Sequence, residues 1–103
     1  MQHADRLKAI GERLRRAYHA EKVILYGSCA SGRATEDSDI DLLVIAPSSE
    51  RFFDRMATVL RLIRDLRRGL PVSPIVLSPE ELAERQKRND PFIREILDTG
   101  VAL

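Results

Sequence analysis

Two short apolar runs constrain this chain more than any other feature of it. Val23-Ile24-Leu25-Tyr26 stops at Gly27, and Ile40 to Ala46 stops at Pro47, with Asp41 the one charge inside either run. Runs this short, bounded by glycine and proline, have the length of buried strands rather than of buried helices. Pro47 also lacks the N–H that a further ladder bond would need.

Amphipathic segments alternate with these runs. A helix is expected from about Ala4 to Ala20, with Leu7, Ile10, Leu14, Ala17 and Tyr18 along one face. Ser28 to Ser38 reads as a loop with one helical turn. A second long helix spans about Ser49 to Arg68, turning Phe52, Met56, Val59, Leu60, Ile63 and Leu66 inward and stopping at Gly69. Val72 to Leu77 is a third strand, and Pro74 within it indicates a sheet edge. Ser78-Pro79-Glu80-Glu81 supplies an N-cap, a first-turn proline and a capping-box glutamate, opening a short helix to about Lys87. Asn89-Asp90-Pro91 opens the last helix, packed through Ile93, Ile96 and Leu97 and ended by Gly100. The expectation is an α/β chain, one domain over residues 1–103, in the order αβαβαβαα around a three-stranded sheet.

Charge and cysteine content narrow the function classes. Seventeen Lys and Arg against sixteen Asp and Glu leave a net charge of +1, which argues against strong non-specific nucleic-acid binding. A single cysteine, Cys29, excludes an internal disulfide and suits a reducing compartment. Met1 to Lys8 is too polar for a signal peptide, and no apolar run approaches the roughly 20 residues of a membrane span. A cytoplasmic location, away from any membrane, is expected.

The chemistry concentrates in Tyr26-Gly27-Ser28-Cys29-Ala30-Ser31-Gly32-Arg33 and in Asp37-Ser38-Asp39-Ile40-Asp41. Strand side chains alternate, so Asp39 and Asp41 project together while Ile40 points away. Paired carboxylates repel unless a cation sits between them, and hard oxygen ligands with room for water suit Mg²⁺. Solvated caps would also explain two aspartates, so the pair alone is weak. Gly27 adds weight, because a glycine ending a strand lets the backbone turn sharply and approach an anion. Ser28 would then open a short helix whose free N–H groups and hydroxyl hold phosphate oxygens.

Gly27-Ser28, ten residues, then Asp39-Ile40-Asp41 resembles the signature of the DNA polymerase β-like nucleotidyltransferases. The flanking apolar runs and the closing Pro91-Phe92-Ile93-Arg94-Glu95-Ile96 with Gly100-Val101 are similar to that family too, and the size resembles its minimal branch. The resemblance implies transfer of a nucleoside monophosphate, AMP first among them, from an NTP such as ATP to a hydroxyl of a protein or small-molecule acceptor. It also implies that Asp39 and Asp41 act as catalytic Mg²⁺ ligands, and that Gly27 and Ser28 hold the β- and γ-phosphates. Arg33 is a candidate for steering phosphate, although a solvated arginine explains it equally.

One position departs from the pattern. Active members carry a third carboxylate on the third strand, where this chain has Ser73. Glu36, Asp37, Glu80 and Glu81 are the nearest acids that could replace it. Arg61, Arg64 and Arg68, with Asp65 as local partner, read as a solvated helix face rather than an acceptor patch. Cys29 reads as a small packing residue, and His3 and His19 as surface residues. Two functions therefore compete: an active enzyme, or a binding module that keeps the fold without the chemistry. Minimal members resemble antitoxins paired with an all-helical HEPN ribonuclease, which makes such a protein the expected partner; self-association is equally compatible.

Overall fold

A computed structural model describes residues 3–103. The first element is α1 (Ala4–Ala17), which buries Leu7, Ile10 and Leu14. Ala17 is exposed and Tyr18 half-buried, so the helix stops a turn short of the expected Ala20. Next come β1 (Lys22–Tyr26), the single-turn helix α2 (Ser28–Ser31), and β2 (Ile40–Ile45). Then follow α3 (Phe52–Leu62), β3 (Val72–Leu77), α4 (Pro79–Lys87), α5 (Pro91–Thr99) and β4 (Val101–Ala102).

The sheet has four strands in the order β3-β2-β1-β4, where three were expected. β1 runs antiparallel to β2 and to β4, and β2 runs parallel to β3. The extra strand is two residues long and pairs Ile24 with Ala102 and Leu25 with Val101. Gly100 makes it possible: a Cβ there would stand 2.5 Å from both Ile24 Cγ2 and the carbonyl oxygen of Ile96. Pro74 lies on β3, which is a sheet edge as its sequence indicates.

Alternation along the strands divides the core in two. Val23, Leu25, Ile40, Leu42, Val44 and Val76 face α1 and α3, meeting Ile10, Leu14, Val59 and Ile63. Ile24, Leu43, Ile45 and Leu77 face α4 and α5, meeting Leu82, Ile93 and Ile96. Helices thus cover both faces, which is why β2 is apolar on both sides beyond Asp41. α4 opens with the expected capping box: Ser78 Oγ accepts from the Glu81 N–H at 3.1 Å, and Glu81 accepts from the Ser78 N–H at 2.7 Å. Asp90 caps α5 through the Phe92 N–H at 3.0 Å.

α3 is shorter than its periodicity indicates. It ends at Leu62, and residues 63–66 form tighter turns. Arginine forks take the carbonyls there: Arg67 binds Leu60 O, Arg13 binds Leu62 O, and Arg6 binds Leu66 O and Arg68 O. Asp65 pairs with Arg13 of α1 at 2.8 Å rather than with Arg61 or Arg68, so the expected arginine stripe does not form as a helical face. Phe52, expected inside, is 39% exposed and packs edge-on against Phe53.

Candidate active site

The site lies at one end of the sheet, where β1 finishes and β2 and β3 begin. Tyr26 pairs with Asp41, and Asp41 pairs with Ser73, so these three positions share the face that α4 and α5 cover further along. Ile40 points to the opposite face and is buried against the α1 side. The register thus places Ser73 beside Asp41, as the third-strand alignment expects, and Ser73 is exposed.

Gly27 links the two halves of the site. Its backbone adopts φ 75 and ψ −153, a region that residues with a Cβ essentially never occupy. The glycine caps α2 by accepting from the N–H groups of Ala30 and Ser31, both at 3.1 Å. The first N–H groups of a helix have no partner within it, so those of Ser28 and Cys29 are not used by α2 itself. A Cβ on Gly27 would stand 2.6 Å from Asp41 Oδ2, so the carboxylate lies directly against this backbone. Gly32 closes α2 with φ 78, and its N–H returns to Ser28 O.

Asp41 is half-buried and Asp39 exposed. Burial raises the Asp41 carboxyl above the ordinary carboxylate range, and the negative charge of Asp39 raises it further. The charge of Asp39 is therefore felt at Asp41. Tyr26 is pushed up by burial and by Asp41, and Cys29 by burial, Asp41 and Asp39. Tyr26, Cys29 and Asp41 are thus biased away from negative charge, which is the field a cation would relieve. Cys29 sits half-buried with its Sγ 3.4 Å from Asp39 O, a packing residue rather than a reactive thiolate.

The remaining candidates separate clearly. Arg33 is exposed, and among the described residues its side chain has no hydrogen bond or ion pair. Glu36 and Asp37 are exposed in the turn closed by Thr35 and Ser38, whose backbone bond is 3.1 Å. Glu80 and Glu81 follow Leu77, which pairs with Ile45 at the opposite end of β2 from Asp41. Glu81 is also committed to Arg55 at 2.5 Å. Neither can complete a metal site with Asp41. No cluster of three His, Cys, Asp or Glu able to hold a metal exists among the described residues. The donor set is two carboxylates, which fits a hard divalent ion whose other positions are filled by water and phosphate oxygens.

Sequence reasoning missed a cleft of about 840 Å³ on the Ile40 side of the sheet, between residues 32–38, α1 and residues 68–71. His3, Arg6 and Arg68 line it, so His3 is a cleft residue while His19 is simply exposed. The cleft does not include Asp39 or Asp41.

A profile of the nucleotidyltransferase domain family matches residues 7–103. The chain belongs to that family. Two Methanocaldococcus jannaschii relatives, both named "putative protein adenylyltransferase", are 40% identical over 78 residues and 37% identical over 83 residues. These matches cover 73% and 81% of this chain, and 52% and 77% of the relatives, so the nucleotidyltransferase domain spans about half the length of the first. A crystal structure described as a "putative nucleotidyltransferase" from Sulfolobus solfataricus superposes with a TM-score of 0.61 at 28% identity. That superposition covers 95% of this nucleotidyltransferase domain and 76% of the other chain. No helix among the described residues is long and apolar enough to cross a membrane.

Proposed function

We propose that this nucleotidyltransferase transfers AMP from ATP to a hydroxyl of an acceptor protein, releasing pyrophosphate. The observation that carries the reading is the contact between Gly27 and Asp41, which joins the glycine turn before α2 to a site carboxylate. The acceptor class comes from the names of the two archaeal relatives. In the transfer, the acceptor oxygen bonds to the α-phosphorus, the bond from that phosphorus to the bridging oxygen breaks, and pyrophosphate leaves.

Gly27 and Ser28 would hold the β- and γ-phosphates through backbone N–H groups and the Ser28 hydroxyl. Arg33, free of intramolecular partners among the described residues, would reach the same phosphates. Asp39 and Asp41 would hold Mg²⁺, which when bound neutralises charge on the phosphates. The acceptor hydroxyl would approach from the Ser73 side. A serine is a poor base, so the proton that the acceptor hydroxyl gives up goes to solvent or to the acceptor's own groups.

Ser73 also favours a second reading. With no third acid beside Asp41, the domain would bind nucleotide and partner but transfer slowly, neutralising a helical HEPN-type toxin by covering it. Incubation with each labelled NTP, Mg²⁺ and a co-purified partner separates the two. Label on the partner supports transfer. A stable complex without label supports binding alone, and the absence of both label and complex would refute both readings.

A further inference from the structure

We propose that Phe92, resting on Tyr26, is the surface on which the nucleobase of the bound nucleotide stacks; the inference rests on the nucleotide site proposed above. Tyr26 is the last residue of β1 and pairs with Asp41, so its ring stands on the Asp41 face one strand away, about 5 Å. The Phe92 ring meets it edge-on, with centroids 5.7 Å apart and planes at 89°. The two steps lead from Asp41 across Tyr26 to an open ring on the same side of the sheet.

Phe92 is 44% exposed although its helix is firmly seated. Ile93 and Ile96 bury the inner side of α5, Asp90 caps its start, and Pro91 fixes its first turn. A scattered exposed phenylalanine is unremarkable in itself. What sets Phe92 apart is that its ring partner is in register with a site carboxylate. Phe53, 77% exposed, has no such neighbour: it packs on Phe52, which lies beside Leu77 at the far end of β3. The edge-on contact also leaves a face of Phe92 unstacked, and aromatic faces bind bases of any sequence. Base and acceptor would then occupy opposite sides of Asp41, the base over β1 and the acceptor beside β3.

The chain has no tryptophan, so Phe92→Trp gives a lone indole at the proposed surface. Binding of Mg–ATP should quench its fluorescence saturably, while Mg–tripolyphosphate, which has no base, should compete without quenching. Phe92→Leu keeps apolar bulk but removes the aromatic face, and should weaken ATP roughly tenfold while leaving tripolyphosphate affinity unchanged. Equal ATP affinity in Phe92→Leu and wild type overturns the stacking surface and leaves the phosphate site standing. A parallel loss of both ligands also overturns it, since the residue would then be structural. If the wild type binds neither ligand, the nucleotide site fails and the stacking surface with it.

Discussion

Asp41 Oδ2 stands 2.6 Å from the place a Cβ on Gly27 would occupy. The carboxylate and the turn are packed so closely that position 27 admits no side chain. Gly27→Ala should therefore do two things at once. The φ of 75 imposes strain of about 1–3 kcal/mol, and the new methyl displaces the Asp41 carboxylate. Thermal denaturation should show a folded but less stable protein, and calorimetry should show most Mg–nucleotide binding gone. Retention of full affinity would mean that the contact has no part in binding.

Replacing both carboxylates tests the metal reading separately from the fold. Asp39→Asn with Asp41→Asn removes two mutually repelling charges at the open end of the sheet, so the protein should stay folded. Mg²⁺ should raise the melting temperature of the wild type in the presence of ATP and leave that of the double variant unchanged. Equal Mg²⁺-dependent shifts in both proteins would exclude these residues as the ligands.

Ser73 tests the missing third acid. It is exposed and in register with Asp41, so a carboxylate there joins the pair without entering the core. Ser73→Asp should tighten Mg²⁺–nucleotide binding, because opposite charges a few ångströms apart attract strongly where water is partly excluded. It should also raise transfer to the acceptor. A wild type already fully active, with the substitution neutral or harmful, would show that the acceptor complex supplies the base.

Acid should act on the far end of the molecule through Glu81. Burial works to raise this carboxyl, but the Ser78 N–H and the Arg55 guanidinium outweigh it and hold it below the usual glutamate value. Its stabilising effect is therefore fully present above the unfolded pKa of about 4.3 and is lost as pH falls through the lowered folded value. Glu81→Gln should cost about 1 kcal/mol at pH 7, the pair being partly exposed. Urea melts should show the gap between variant and wild type closing at pH 3. A constant gap would assign the cost to packing.

Most of the fold was legible because its signals are local. The strands are short apolar runs with clear stops, and Ser78 and Glu81 announce a helix three residues apart. The direct contact of Asp41 with Gly27 was not legible, because it rests on the register of β2 against β1. What escaped depends on distant residues. β4 is two residues long, too short for any period, and only the docking of Gly100 under Ile24 reveals it. The end of α3 is decided by Arg6 and Arg13 on another helix, which no pattern within residues 49–68 records. The contact between Tyr26 and Phe92 joins residues far apart in the chain, and the cleft beside Ile40 draws on residues from His3 to Pro71.

Asp41 and Ser73 stand at the rim of the sheet, while Leu43 and Leu77, further along the same face, are sealed in the core. Under the proposed function, stability is set by the inner positions and chemistry by the outer ones, with each of the two strands carrying both. A lineage built this way can exchange one rim residue and pass between turnover and mere grip without having to invent a new fold.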